Sequence, residues 1–515
     1  MASGIHHVTL ITRRVQANVD FYAGFLGLRL VKRTGGYEDA LQLHLFYGDS
    51  AGAPGSLVTF LVWEDGAPGR VGHGQVTEIA FAVAQNTLGN WLTRAIAHGV
   101  KAEGPMREFG EPVLRLKDPD GVIVKLVGMP DLAGEDAPAR LRAVTIWSEV
   151  PEETAAFIEQ FGYRKGPLEG SVQRLLSDTD AVDVRDANGF VAGIPGTGVA
   201  DHVAFRAADV DEVMGYEKAL SRRNSSVTNF HDRKYFHSLY VREPAGTLIE
   251  VATDGPGLAI DEMPGRLGQK LFVPPQDAER AEDIRVMLPQ FAMPGEERLP
   301  LRDLPFVHRF YHPETPDGST MLLLHGTGGN EADLMPFARR LNPNATLLGV
   351  RGRAAEEGVA RWFRRFSTVS FDQADIRSEA EAFEAFLHGA VSGYGLDPGR
   401  ITVVGYSNGA NFAAAVMALR PGLIGRAILM RAMAVLDVLP EVNLGGTQIL
   451  MLNGNADPYG AQAPRLQEWL KKCGAALEVA TIEAGHELTA ADQDRAGSWA
   501  KETSNALPGM SDGRV

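Results

Sequence analysis

Apolar and polar positions follow two different rhythms along this chain, and a proline-rich stretch separates them. In the first rhythm Ile5-His6-His7-Val8-Thr9-Leu10 predicts a strand. A helix is expected next, from an Asn18 cap through Phe21, Tyr22, Phe25 and Leu26 to Gly27 as its closing residue. Strands follow, with an apolar run at Leu57 to Val62. Similar units restart near Thr77, Leu141 and Asp201. Two of them end alike: Asp118-Pro119-Asp120-Gly121-Val122-Ile123-Val124-Lys125 parallels Glu243-Pro244-Ala245-Gly246-Thr247-Leu248-Ile249-Glu250, each a turn opening into a buried strand. The pattern predicts four copies of a β-α-β-β-β unit, an α+β region built by repetition.

Residues 255 to 302 carry Pro256, Pro264, Pro274-Pro275, Pro289 and Pro294 and show no sustained periodicity. Leu271-Phe272-Val273 and a helix around Ala278 to Leu288 are expected to pack back on the first region, with a linker near Met293 to Asp303. Beyond it short apolar strands (Thr320 to Leu324, Ala345 to Val350, Ile401 to Val404, Gln448 to Leu452) are separated by helical stretches such as Asp375 to His388. Alternating buried strands and helices imply α/β architecture with a mostly parallel, doubly wound sheet. The expected division is 1–135 for the first pair of modules, 136–292 for the second pair with its extension, and 303–507 for the α/β domain, with Pro508 to Val515 as a disordered tail.

A length of 515 residues is too great for one core, in keeping with several domains. A net charge of -15 argues against nucleic acid or an anionic membrane as partner. The single cysteine, Cys473, excludes an intrachain disulfide and fits a reducing compartment. The start has neither a basic nor an apolar leader region, and no run reaches the roughly 18 apolar residues of a membrane helix. A soluble cytoplasmic protein is expected, with a homo-oligomer left open.

Two constellations carry chemistry. His7 opens the first unit, His202 opens the fourth, and Glu250 lies inside the fourth unit's last strand. A carboxylate within an apolar strand is costly unless paired or metal-bound. Two imidazoles and one carboxylate leave positions open on a metal and suit Fe(II) activation of O2. Taken singly, each histidine is more simply a satisfied core residue. The repeat changes that: overlaying units three and one puts Ala143 at His7, and overlaying two and four puts Glu78 at His202 and Lys125 at Glu250. One pseudo-symmetric site then has three ligands, while its twin has none and an expected Glu78–Lys125 ion pair.

Gly4-Ile5-His6-His7-Val8-Thr9, Tyr47-Gly48-Asp49, Asp232-Arg233-Lys234-Tyr235-Phe236-His237-Ser238-Leu239-Tyr240, Arg242-Glu243-Pro244 through Asp254 and Leu271-Phe272-Val273-Pro274-Pro275 carry a further signal. With these motifs the first ~290 residues resemble the vicinal oxygen chelate superfamily, and within it the hydroquinone-type ring-cleaving dioxygenases. The resemblance implies His7, His202 and Glu250 as Fe(II) ligands, with Mn(II), Zn(II) or Ni(II) as alternatives. It also implies substrate or supporting roles for His6, Thr9, Arg233 and Tyr240. Asp201 stands where such proteins often have histidine, beside the ligand and facing substrate.

The second constellation follows the nucleophile-elbow pattern. Ile401 to Gly409 is an apolar strand running into Gly405-Tyr406-Ser407-Asn408-Gly409, which places Ser407 on a sharp strand-to-helix turn. Asp457 and His486 each follow a later strand, in the chain order this fold requires. Leu324-His325-Gly326-Thr327-Gly328-Gly329 ends an early strand. Its Thr327 and the elbow's Asn408 are expected to supply oxyanion amides through their backbones, and His325 to anchor the loop. The segment ~303 to 505 resembles small carboxylesterase and phospholipase-like α/β hydrolases, and Arg361-Trp362-Phe363-Arg364-Arg365 matches that group. Trp362 is expected in a substrate pocket, whereas His44 is expected to be structural. The expectation is a fused enzyme. An Fe(II) ring-cleaving dioxygenase would take O2 and an aromatic diol or quinol, and a serine carboxylesterase would take an ester, lactone or ring-opened product. A glyoxalase-like lyase or isomerase half and a quinone- or antibiotic-sequestering half are the alternatives.

Overall fold

The computed structural model describes residues 3–134, 137–221, 229–300 and 302–504; the expected tail and residues 505–507 lie outside the described residues. The chain divides into two compact units, 1–279 with 291–298, and 280–290 with 299–515.

In the first unit all four β-α-β-β-β modules form, opening with strands Ile5–Thr12, Gln75–Ala84, Arg140–Ser148 and Ala200–Ala207. They do not assemble in sequence order. Modules one and four share a nine-stranded sheet, and modules two and three an eight-stranded sheet. Ile5–Thr12 runs antiparallel to Ala200–Ala207, as Gln75–Ala84 does to Arg140–Ser148. The expected division at residue 135 therefore cuts between the two strands that join one sheet, and it separates no core from another. Leu271–Phe272 adds to the nine-stranded sheet beside Arg29–Gly35, as its sequence suggests.

Buried carboxylates tie the modules together. The Asp118 carboxylate accepts the backbone amides of Asp120 and Val122 and the Tyr22 hydroxyl, which comes from module one. Glu243 does the same in module four, accepting from Ala245, Thr247 and the Thr154 hydroxyl of module three. The repeat thus extends to how its copies are joined.

Two local expectations fail for stated reasons. Asn18 is no helix cap: the helix begins at Val15, and Asn18 is a buried interior residue whose Oδ1 accepts the Tyr47 hydroxyl at 2.9 Å. The helix Ala281–Met287 does not return to the first unit. Its Val286 packs with Phe337 and Leu341, and Glu282 and Asp283 pair with Arg339 and Arg340 of the second unit.

The second unit holds a seven-stranded sheet in the order His308–Tyr311, Thr346–Val350, Thr320–Leu324, Ile401–Tyr406, Arg426–Met430, Gln448–Gly454, Ala476–Ile482, antiparallel only at its first strand among the described residues. Successive side chains of the central strands enter two cores, Leu322 and Leu324 one, Met321 and Leu323 the other. That double covering is why these strands read as continuous apolar runs.

The twin of the candidate metal site obeys the same register. Thr9 pairs with His202, and Ala204 lies beside both His7 and Glu250. Thr145 correspondingly pairs with Glu78, and Ala80 lies beside both Ala143 and Lys125. Lys125 Nζ stands 2.6 Å from Glu78 Oε2 and 2.6 Å from Glu108 Oε2, and Arg115 pairs with both acids. Removing one member of a buried pair leaves an uncompensated charge. Lys125→Met is therefore expected to lower the stability of the first unit by about 3 kcal/mol in urea unfolding. Glu78→Leu with Lys125→Met should recover most of that loss, because Arg115 and Glu108 still pair.

Candidate active sites

At the junction of modules one and four, Glu250 Oε2 lies 3.0 Å from His7 Nε2 and 2.9 Å from His202 Nε2, and the two imidazole nitrogens are 3.3 Å apart. All three side chains are buried, Glu250 with no exposed surface. Neither Glu250 oxygen has a hydrogen bond of acceptable geometry. Three lone-pair atoms converging on one point, with neither carboxylate oxygen hydrogen-bonded, fit a divalent cation, and among the described residues His7, His202 and Glu250 form such a cluster.

The residues behind the ligands set their tautomers. His202 Nδ1 donates to Asp201 Oδ2 at 2.7 Å, which turns its Nε2 lone pair toward the centre. The Nδ1 atoms of His7 and His6 lie 2.9 Å apart, so for His7 to offer Nε2 its Nδ1–H must donate to His6. Burial, then the neighbouring His7, pushes His6 down to about 3, so it is a neutral acceptor. Burial alone would lower His202, but Asp201 and Glu250 carry it up to about 9. Burial would raise Glu250, yet His7 and His202 hold it well below the usual carboxylate range. A cation entering here would displace a proton from His202.

The cluster borders a cavity of about 470 Å³. Phe46, Leu61 and Phe236 give it apolar walls, and Tyr37, His231, Arg233 and Tyr240 give it polar ones. The Arg233 guanidinium lies 5.3 Å from the Tyr37 ring and 5.7 Å from the Tyr240 ring. Burial, then Glu250, raises the Tyr240 phenol well above its ordinary value, so it is a neutral donor. Thr9 Oγ1 shares a 2.9 Å hydrogen bond with Thr59, which shares one of 2.8 Å with His44 Nε2.

In the second unit Ser407 Oγ lies 2.8 Å from His486 Nε2, and His486 Nδ1 lies 3.1 and 3.0 Å from the two Asp457 oxygens. Ser407 has φ 51 and ψ -114, the strained elbow conformation. Its flanking glycines are obligatory: a Cβ on Gly405 would sit 2.8 Å from Ala410 N, and one on Gly409 would sit 2.1 Å from Leu324 O. A Cβ on Gly326 would lie 3.7 Å from Ser407 Cβ, so the loop carrying Thr327 passes beside the nucleophile. This arrangement can support nucleophilic acyl transfer.

Residues 4–126 match the model of the glyoxalase/bleomycin resistance protein/dioxygenase superfamily. MhqO of Bacillus subtilis (strain 168), named for ring-cleaving dioxygenase activity, is 33% identical over 57% of this chain and 97% of its own length. The chain belongs to the glyoxalase/bleomycin resistance protein/dioxygenase superfamily. The chlorohydroquinone/hydroquinone 1,2-dioxygenase of Sphingobium indicum is 31% identical over 55% of this chain and 95% of its own length. The second unit matches a different protein. MhqD of the same Bacillus strain, named as a hydrolase, is 35% identical over 36% of this chain and 93% of its own length.

Within the superfamily half, Thr9, Asp201, Arg233 and Tyr240 line the cavity with the three ligand residues, but His6 does not. It stands behind His7, which leaves His6 the supporting one of its two expected roles and not the substrate contact. His44, expected to be structural, lines the cavity. Tyr37, Glu38 and Gln42 also line it. They lie between two strands, where neither periodicity nor motif marks them.

Two hydrolase expectations change as well. Trp362 belongs to the core of the second unit. It has no exposed surface, stacks on Phe412 at 4.9 Å and donates its indole N–H to the His325 carbonyl. Asn408 uses its side chain: Oδ1 accepts the Trp362 amide at 2.9 Å. His325 is the expected anchor, accepting the Gly352 amide at Nε2.

Sequence reasoning missed Arg431. This fully buried guanidinium pairs with Asp492 at 2.8 Å and donates to the carbonyls of Gly485 and Glu487, on both sides of His486. Only the fold brings these segments together, so no local pattern announces it. Arg431→Lys keeps the charge but loses the fork. It is expected to lower kcat for aryl-ester hydrolysis about 100-fold by misplacing His486, with KM little changed. An unaltered kcat would show that the His486 loop holds itself. Asn408→Ala is expected to cost the second unit about 1–3 kcal/mol in thermal or urea unfolding, since it strands the buried Trp362 amide.

Proposed function

We propose that the chain is a two-headed enzyme, joining an iron-dependent ring-cleaving dioxygenase acting on a hydroquinone-type diol to a serine carboxylesterase. The observation that carries the first half is the buried Glu250 carboxylate, facing His7 and His202 with no hydrogen bond of its own, at the edge of an aromatic-walled cavity. Two imidazoles, both neutral once His202 has given up its proton, and a carboxylate suit Fe(II) and leave coordination positions for two reactants. When bound, iron would activate O2 and hold a phenolic oxygen.

The chain's own residues do the rest. Phe46 and Phe236 offer an aromatic ring apolar contact. Arg233 and the Tyr240 phenol donate toward negative charge developing on oxygen. Thr9, braced through Thr59 by His44, offers a hydroxyl to the ring's oxygen substituents. Asp201 fixes the orientation of His202. The named activity of the Sphingobium relative supports hydroquinone as the substrate class.

In the second half His486 takes the Ser407 proton, Asp457 steadies the resulting imidazolium, and Thr327 and Asn408 donate backbone amides to the tetrahedral oxyanion. The acyl-enzyme is then hydrolysed by water. The substrate is an ester, lactone or acyl product of the same aromatic class. In Bacillus subtilis two separate chains match the two halves.

A crossed pair of variants tests this. His7→Ala is expected to abolish iron retention and oxygen uptake with hydroquinone while leaving aryl-ester hydrolysis intact. Ser407→Ala is expected to do the reverse. Iron content unchanged in His7→Ala would sink the dioxygenase reading. Ester turnover retained in Ser407→Ala would sink the esterase reading.

A further inference from the structure

Asp201 is a wall of two cavities. One is the ring cavity. The other, of about 330 Å³, is lined by His73, Gln75, Gly193, Asp201, Arg242 and Thr247. Its interior is polar and incompletely satisfied. Gln75 is 8% exposed and Thr247 2% exposed, and neither Gln75 Oε1 nor Thr247 Oγ1 has a hydrogen-bond partner. An orphaned buried acceptor is costly unless something that can donate to it fills the space beside it.

The internal repeat supplies a control. The register that superposes His202 on Glu78 and Glu250 on Lys125 also superposes Asp201 on Thr77, Gln75 on Val199 and Thr247 on Val122. Thr77, Val199 and Val122 line the corresponding void in the twin, and its volume is about 10 Å³. The same backbone therefore closes over valines where no metal ligands exist. It opens over an amide and a hydroxyl where they do. General packing needs do not explain that difference, because packing is satisfied in the twin.

We propose that this second cavity is a water-holding chamber serving the metal cavity through Asp201, so that solvent can reach and leave the ligand cluster while a ring occupies the main cavity. The proposal rests on the metal-site reading above. Water is the ligand the lining selects. At about 30 Å³ each the chamber has room for roughly ten molecules, and each needs two to four polar partners of the kind found here. Asp201, which accepts from His202 Nδ1, is the element common to both spaces. Ala192, Pro195 and Arg242, all exposed, lie at its solvent side.

The test copies the twin into the chamber: Gln75→Val, Thr247→Val and the double variant. A crystal structure of the wild-type chain should show ordered water on Gln75 Oε1 and Thr247 Oγ1; a dry or collapsed cavity overturns the proposal. The functional arm uses Mn(II)-loaded protein with saturating phenol, reading the proton relaxation of bulk water. The wild type should keep a paramagnetic enhancement under phenol, and the double variant should lose most of it at equal manganese content. Equal enhancement in both overturns the proposal. Each single variant should give an intermediate loss, so a folding defect in the double variant does not remove the test. His7→Ala is the control for the underlying reading. If it binds Mn(II) as well as the wild type, the metal assignment fails, and the ordered-water result decides the chamber on its own.

Discussion

The first unit depends on burying one carboxylate. Glu250 has no exposed surface, and an unpaired carboxylate there would cost several kcal/mol. What compensates it are two imidazoles, and one of them, His7, comes from the opposite end of the repeat array. The pairing of Ile5–Thr12 with Ala200–Ala207 is what delivers it. Sheet assembly and site assembly are thus one event: modules one and four must meet for the carboxylate to be tolerated at all.

The twin meets the same constraint in another way. With Ala143 in place of His7 and Glu78 in place of His202, no imidazole is available, and the position of Glu250 is taken by Lys125. Charge balance is kept by Glu78, Glu108, Arg115 and Lys125 pairing among themselves. A carboxylate set against two imidazoles and a carboxylate set against built-in Lys and Arg cations are two solutions to one electrostatic problem on one backbone. The asymmetry then reaches outward, to a polar chamber on one side and valines on the other.

Much of this was legible in the sequence, because it depends on local spacing. The paired turns ending at Lys125 and Glu250 announce the repeat, and the elbow, Asp457 and His486 announce a hydrolase in chain order. What was not legible depends on contacts distant along the chain. Asn18 satisfies every local rule for a cap, yet Tyr47 claims its side chain inside the helix. The helix Ala281–Met287 has an apolar face that either unit could have taken, and only the presence of Phe337 and Leu341 decides it. Trp362 in a motif reads equally as pocket or core until Phe412 is seen stacked on it. The crossed pairing of modules, in contrast, follows from the spacing of the candidate ligands. Ligands at residues 7, 202 and 250 can meet only if the first module lies against the fourth.

The two sites share no residue. Every ligand and cavity residue of the first lies within 1–279, and the whole triad lies within 299–515. Covalent fusion raises the effective concentration of one tethered module near another. It does nothing of the kind for a small molecule released into solution, which is attached to neither and diffuses away. Joining two complete and separable sites therefore secures equal numbers of the two activities, without by itself passing an intermediate between them. The strained backbone at Ser407 and the buried charge at Glu250 are each held inside their own unit, by the backbone bonds of Ser407 to Met430 and Asn411 in one case and by His7 and His202 in the other. Neither arrangement draws on a residue of the other unit.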